Sequence, residues 1–491
     1  MDNMSSVSIK RLNINTFIYI CYDILLRGRA FILLPIYTRY LTPDEYGMFV
    51  LISNINNIIF YPPTFTMPAV NRFYFESKDV NYLRRLWGTN ATLMTLATLF
   101  FTTFLLFVGK PIFENILTGI DFYPYIVLGL LTIMPRPLVE IYQLVLKTEQ
   151  RAVDFAKIGI GLQVLNIVLI IMGLTVFRLK LEGILFATLI SNIVGLIFVF
   201  CTFGRHIRWG FDREILKKSL HYSVQFIPHS LSGSIQSVLD KILLSNLRSS
   251  FDTGIYNIGM SFGLILNTIT AGFNESFSPF FMSKIKETGG KAEIVKVASF
   301  AVLTYVIAGI GIAIFANDVI QLLTTPKYYS AWMIVPIVVL SNIFEGIYRI
   351  LVAPLFYNLS GPKFLSSISL LSICTNIILC YFFISAWGMF GGALTGLVVN
   401  IVYVFIVALV AFRLERVEWE TGRMARVLFV GILITCAIIY MDTLLVYKYK
   451  LVVKFAMYSI SLYLLIIIYG YHDVKKVFIY VLSNLRQNKK A

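Results

Sequence analysis

Apolar residues run along this chain in long blocks, and polar and charged residues gather in the short gaps between them. Fourteen blocks reach about 20 residues, the length a helix needs to cross the hydrocarbon core of a bilayer. They fall near residues 14–37, 46–70, 87–109, 122–146, 155–177, 181–203, 220–247, 253–282, 294–316, 330–358, 364–385, 388–412, 425–446 and 451–470. The pattern predicts an all-α membrane protein with about fourteen transmembrane helices. The first block starts near Asn13 and is long enough to span, so it is expected to stay as a helix and not to be cleaved as a signal peptide.

The gaps set the orientation. With a cytoplasmic N-terminus, and with basic residues near a block end counted with the adjoining gap, 28 of the 42 Lys and Arg residues fall on the cytoplasmic side and 9 on the outer side. Lys and Arg concentrate in cytoplasmic loops, so both termini are expected on the cytoplasmic side of the membrane. The widest cytoplasmic gap, Gly204–Ser219, carries Arg205, Arg208, Arg213, Lys217 and Lys218. The tail 471–491 alternates basic and apolar residues, which suits the anionic inner leaflet.

The two halves repeat. Gly47-Met-Phe49 matches Gly254-Ile-Tyr256, and Ile141-Tyr142 matches Ile347-Tyr348. Asn166-Ile-Val-Leu169 matches Asn376-Ile-Ile-Leu379, and Gly183 with Asn192-Ile-Val194 matches Gly391 with Asn400-Ile-Val402. The four matches come in order, at offsets between 206 and 210. A repeat of six helices is even, so both copies share one orientation. This predicts two parallel six-helix lobes about a pseudo-twofold along the membrane normal, with a substrate path between them, plus two C-terminal helices. The expected domains are an N-lobe at 1–203, a basic linker at 204–219, a C-lobe at 220–412, helices thirteen and fourteen at 413–470, and the cytoplasmic tail at 471–491.

Composition narrows the function. Only 14% of residues are charged and 58% are hydrophobic, against roughly 25% charged in soluble proteins. The net charge of +16 lies in short loops, where it fixes orientation, and does not call for nucleic acid. Cys21, Cys201, Cys374, Cys380 and Cys436 lie in apolar stretches and read as small buried hydrophobes. With His206, His221, His229 and His472 they make no metal-ligand spacing. No phosphate-binding loop of the GxxxxGK[ST] type occurs, which argues against an ATP-driven pump. No metal or organic cofactor is expected.

Ten ionisable residues fall deep in the expected helices: Asp23, Arg27, Arg29, Arg136, Glu140, Asp240, Lys241, Glu275, Glu345 and Arg349. At about 2.5–3.5 kcal/mol each at mid-bilayer, ten isolated charges would cost about 25–35 kcal/mol. That exceeds the net stability of most proteins, so they must pair or face a polar cavity. Asp23–Arg27, Arg136–Glu140 and Glu345–Arg349 are i,i+4 pairs, which also suits self-neutralising struts. Glu140 and Glu345 sit at nearly the same place in the repeat. Arg29, Arg136, Lys241, Arg349 and Arg27 are expected to contact an anionic substrate. Glu140, Asp240, Glu345, Asp23 and Glu275 are expected to couple transport to H+ or Na+, since burial favours a protonated carboxyl; Glu275 also suits a plain interfacial role. Pro62-Pro63, Pro68, Pro135, Pro137, Pro228, Pro336 and Pro354 fall within the blocks and predict kinks. Helix two, with Asn54, Asn56, Asn57 and then Pro62-Pro63, is expected to be broken and to line a cavity.

The stretch Leu33-Leu-Pro-Ile-Tyr-Thr-Arg-Tyr-Leu-Thr-Pro-Asp-Glu-Tyr-Gly47 resembles the amino-terminal signature of the Wzx-type polysaccharide flippases, of the multidrug/oligosaccharidyl-lipid/polysaccharide exporter superfamily. Pro228, Asp240-Lys-Ile-Leu-Leu244 and Gly254-Ile-Tyr256 resemble that family's pattern at the start of the second lobe. Lys241 stands there in place of an Arg, which removes a bidentate fork for phosphate. Asn376 through Gly391-Gly392 fits the helix eleven–twelve pattern, and the resemblance spans about residues 10–412.

The resemblance implies a transporter and not an enzyme. Its implied substrate is an oligosaccharide on undecaprenyl pyrophosphate, turned from the inner to the outer leaflet for O-antigen, capsule or exopolysaccharide assembly, with other assembly proteins of the membrane as partners. A lipid II flippase and a multidrug exporter of the same superfamily stay open. A membrane polymerase or glycosyltransferase would need a long outer loop with catalytic residues, and no outer gap here exceeds about 15–20 residues.

Overall fold

The computed structural model of the chain describes residues 18, 22, 24–26, 28–77, 79–117, 119–224, 238–357, 361–444 and 450–470. The expectations that fall on Cys21, Asp23, Arg27, Pro228, His229, His472 and the tail 471–491 lie outside the described residues. Among the described residues every regular element is helical and no strand occurs. Among the described residues eight helices are long and apolar enough to cross a membrane, including Val80–Ile116, Gly290–Leu323 and Met389–Leu414.

Contacts divide the chain into two compact units, Met1–Gly254 and Ile255–Ala491. The first holds α1 (28–40), α2 (Pro43–Phe60), α3 (Met67–Phe73), α4 (Val80–Ile116), α5 (Val127–Ile133), α6 (Arg136–Thr148), α7 (Ala152–Thr175), α8 (Lys180–Val199), α9 (Arg213–Val224), α10 (238–247) and the first residues of α11 (Ser250–Lys284). The second holds the rest of α11, α12 (Gly290–Leu323), α13 (Val335–Leu351), α14 (Ala353–Tyr357), α15 (Gly361–Trp387), α16 (Met389–Leu414), α17 (Thr421–Leu444) and α18 (Lys450–Tyr469). The division falls inside α11, so α9 and α10 stand with the first unit.

Local chemistry explains the breaks. α2 opens with a capping box, in which the Thr42 side chain accepts from the Glu45 N–H and the Glu45 carboxylate accepts from the Thr42 N–H. It ends at Tyr61, because Pro62 and Pro63 cannot donate; a short 3-10 turn, Pro62–Thr64, leads into α3. The expected break in helix two is therefore present. α5 and α6 are likewise interrupted at Met134-Pro135, and α13 gives way to α14 ahead of Pro354. Pro68, Pro137 and Pro336 behave differently from the expected kinks. Each stands in the first turn of a helix, α3, α6 and α13, where a missing N–H costs nothing.

The basic stretch after helix six does not run free. Residues 205–212 lie along the start of α4: the Arg208 N–H donates to the Arg84 carbonyl, and the Asp212 N–H donates to Thr89 Oγ1. Arg85 pairs with Asp212 at 3.1 Å, and Asp212 Oδ1 accepts from the Glu214 and Ile215 N–H groups, capping α9.

The repeat is legible inside each unit. In the first, the Asn192 amide on α8 donates to the Thr132 carbonyl of α5 at 2.9 Å. In the second, the Asn400 amide on α16 donates to the Ser341 carbonyl of α13 at 3.1 Å. These bonds join equivalent helices and satisfy a backbone group at membrane depth, worth about 0.6–2 kcal/mol each. α7 and α8 cross closely where a Cβ on Gly183 would stand 3.1 Å from the Gly173 backbone. Its counterpart Gly391, where α15 meets α16, is tighter: a Cβ there would stand 1.9 Å from the Phe383 carbonyl oxygen.

Candidate functional site

The first unit encloses a polar cavity of about 480 Å³. α1, α2, α5, α6, α7 and α8 all contribute to its wall. The break at Met134-Pro135 shapes it, because α6 starts there with Arg136 and carries Glu140 and Gln143 one and two turns on. The broken α2 supplies Ser53, Asn56 and Asn57, as its asparagine cluster predicts.

Arg29 reaches across this cavity to α7. Its Nη1 donates to Gln163 Oε1 at 2.7 Å and its Nη2 to Asn166 Oδ1 at 2.6 Å. Both partners are neutral. Arg136 is held differently. Its Nη2 donates to Glu140 Oε1 at 3.4 Å, its Nη1 to Asn57 Oδ1 at 3.3 Å, and its guanidinium lies 4.1 Å from the centre of the Phe60 ring. The i,i+4 pair expected from spacing is thus formed, and a cation–π contact fixes it to the end of α2. The amides of Asn56 and Asn192 are turned into the wall, on the carbonyls of Gly129 and Thr132.

The second unit holds the other expected pair. Arg349 Nη2 donates to Glu345 Oε1 at 2.6 Å, and Asn267 Nδ2 donates to Glu345 Oε2 at 2.9 Å. Both charged side chains are about 70% buried, at 27% and 30% exposure. Arg349 Nε and the Tyr305 hydroxyl are buried there with no hydrogen-bond partner among the described residues. Tyr348, the residue before Arg349 on α13, packs on Tyr403 at a ring separation of 4.7 Å.

Of the ten expected residues, Arg29, Arg136 and Glu140 come together in the first unit's cavity. Lys241 lies on α10 outside its wall and donates to Asn54 Oδ1 of α2 at 3.3 Å. Asp240 Oδ1 accepts from the Lys241 N–H at 2.8 Å. Glu345 and Arg349 pair in the second unit, and Glu275 is exposed on α11. Sequence reasoning missed the amides that hold Arg29, because it searched for charge. It also left Lys454 out of the buried charges. Lys454 is 1% exposed on α18, where its Nζ donates to Asp318 and to the Ile314 carbonyl of α12. Among the described residues no group of three His, Cys, Asp or Glu side chains is placed to hold a metal ion.

A family model described as polysaccharide biosynthesis protein matches residues 36–333, more than half of the chain. No curated protein matches the chain in sequence. In fold the chain is similar to the lipid II flippase MurJ in an inward closed conformation, with a TM-score of 0.73 at 14% identity over 94% of this chain and 99% of that one. It is also similar to a multidrug resistance MATE family transporter of the MOP superfamily in an inward-facing conformation, with a TM-score of 0.60 at 15% identity over 80% and 96% of the two chains. The bent form of the Vibrio cholerae MATE transporter VcmN gives 0.55 at 17% identity, over 86% and 100%.

Proposed function

Since the chain belongs to the polysaccharide biosynthesis protein family, we propose that it is a flippase carrying an undecaprenyl-pyrophosphate-linked oligosaccharide from the inner to the outer leaflet of the plasma membrane by alternating access. The observation that carries this reading is the polar cavity with Arg29 and Arg136 inside a bundle of membrane-length helices. A charged head group and its sugars cannot pass through hydrocarbon without groups that replace their water. The cavity offers such groups, and the fold it shares with a lipid II flippase suits the same kind of cargo.

In this reading the two halves act as lobes, both termini are cytoplasmic, and Arg29, Arg136, Lys241 and Arg349 contact the pyrophosphate or acidic sugars. A carboxylate among Glu140, Asp240 and Glu345 couples the cycle to H+ or Na+. The MATE-like fold favours a second reading, export of organic cations. The family match and the arginines in the cavity weigh against it, since a cationic wall repels a cationic drug.

Deletion separates the readings. In a strain lacking the protein, an undecaprenyl-linked oligosaccharide accumulates on the inner leaflet. Accumulation of lipid II would assign the chain to the peptidoglycan path instead, and drug sensitivity with no lipid-linked intermediate would make it an exporter. Transport into vesicles that ignores both proton and sodium gradients refutes the coupling role.

A further inference from the structure

α9 is held where a membrane-length helix leaves the hydrocarbon. α4 has 37 residues, a length of about 55 Å, against a hydrocarbon core of about 30 Å. No charged residue falls between Arg85 and Lys110, so the edge of the core lies near Arg85. α9 is pinned at this level. Arg85 pairs with Asp212, and the Asn90 amide donates to Ser219 Oγ at 3.3 Å. Ile215 packs with Ala69, Phe73 and Leu86, and Ser219 and Ser223 are buried.

The face of α9 turned away from this packing has its own pattern. Arg213, Lys217 and His221 stand one turn apart and are exposed. Leu216, Leu220 and Val224 make an apolar row beside them, and Val224 is 53% exposed. An open recess of about 610 Å³ lies against this face, lined among the described residues by those six side chains. The acid in this turn, Glu214, is taken by Lys218 at 2.8 Å, and neither Arg213 nor Lys217 has an ion pair among the described residues. Outside the described residues the acids are Asp2, Asp23 and Asp473, and none falls in 225–237, which follow α9.

The linker ahead of α9 adds an independent observation. Trp209 and Phe211 are 41% and 50% exposed, beside the exposed Arg205 and Arg208. Trp209 Nε1 donates to the Gly204 carbonyl, so the indole has its polar atom satisfied and its ring uncovered. Aromatic rings next to arginines suit the headgroup layer of a bilayer, where the ring leaves water and the charge stays in it. A helix with basic and apolar rows on one face suits the same layer. An acidic protein partner would match the cations but has no need of the level at which α9 is pinned.

We propose that the outer face of α9, with Trp209 and Phe211 before it, docks on an acidic phospholipid of the inner leaflet, whose phosphate is held by Arg213 and Lys217. The choice of leaflet rests on the orientation in which both termini are cytoplasmic.

The test uses the full chain in detergent, titrated with phosphatidylglycerol or phosphatidylcholine, with bound lipid counted by native mass spectrometry. Phosphatidylglycerol is expected to bind at least ~10-fold more tightly. A basic residue near an anionic lipid surface is worth about a 5-fold change in affinity, so Arg213→Gln with Lys217→Gln should weaken phosphatidylglycerol about 25-fold and leave phosphatidylcholine unchanged. Arg213→Lys with Lys217→Arg should keep the preference, and Lys218→Gln, which removes a paired cation on the same helix, should leave it unchanged. Equal binding of the two lipids would overturn the proposal, as would a preference that survives the double Gln variant or is lost equally in Lys218→Gln. Displacement of the phosphatidylglycerol by inorganic pyrophosphate would mark a site for free phosphate and overturn it too. Detergent leaves no inside or outside, so these failures are separate from a failure of the orientation. That is checked by Lys217→Cys in intact cells: an impermeant maleimide should not label it, and labelling there would overturn the assignment to the inner leaflet.

Discussion

Gly47 and Gly254 are counterparts in the repeat, and each packs against the backbone beside the other. A Cβ on Gly47 would stand 1.9 Å from the Ser250 carbonyl oxygen, and one on Gly254 would stand 2.3 Å from that of Pro43. Ser250 and Pro43 are themselves separated by the offset of 207 that relates the two glycines. The contact is reciprocal, as in an isologous interface: the start of α2 meets the start of α11, and each gives the other the same glycine.

Overlap with a backbone atom cannot be relieved by a rotamer change, so the helices must move apart. Gly47→Ala and Gly254→Ala are each expected to cost about 1–3 kcal/mol or more, in the range of overpacking. Gly161 on α7 has open space where its Cβ would go, so Gly161→Ala serves as the control and should gain about 0.5–1 kcal/mol from helix propensity. Thermal unfolding in detergent checks this. If both repeat glycines tolerate alanine as well as Gly161 does, the close crossing is not a feature of the folded protein.

The buried pair of Lys454 and Asp318 ties α18 to α12. Breaking such a pair by removing one partner leaves an uncompensated charge and costs about 3–5 kcal/mol, while replacing both with apolar residues is often neutral. Lys454→Met and Asp318→Leu alone should therefore each lower the unfolding temperature sharply, and the double variant should recover most of the loss. A double variant less stable than either single one would show that the ion pair itself contributes net stability.

What the sequence makes legible follows from the reach of each interaction. The apolar blocks are plain because a bilayer imposes their length. Arg136–Glu140 and Glu345–Arg349 are plain because both partners lie within one turn of one helix. The break of α2 is plain from Pro62-Pro63, but Pro68, Pro137 and Pro336 look alike in sequence and start helices instead, since a proline's effect depends on which turn it occupies. Contacts made across the fold leave no local trace. Arg29 finds its amides 134 and 137 residues away, and Lys454 finds Asp318 at a separation of 136. Neutral amides in an apolar helix do not stand out until a cation is placed beside them.

The i,i+4 pairs on α6 and α13 carry opposite order on equivalent helices. Arg136 comes one turn before Glu140, whereas Arg349 comes one turn after Glu345. Exchanging the members of a pair keeps its net charge and its spacing, and moves the cation along the helix by about 6 Å. The orientation of an i,i+4 pair changes helix stability by only a few tenths of a kcal/mol, so the exchange tests position more than pairing. The first exchange also gives up the contacts of Arg136 with Asn57 and Phe60, which adds about 1 kcal/mol. Arg136→Glu combined with Glu140→Arg, and likewise Glu345→Arg combined with Arg349→Glu, should therefore fold near the wild-type level. If the arginines contact the passing anion, transport of the lipid-linked saccharide in vesicles should fall at least ~10-fold, because a charge displaced by one turn no longer meets a ligand held by the rest of the wall. Struts that only neutralise each other would give exchanged variants that transport as well as wild type, and that result would remove Arg136 and Arg349 from the set of substrate contacts.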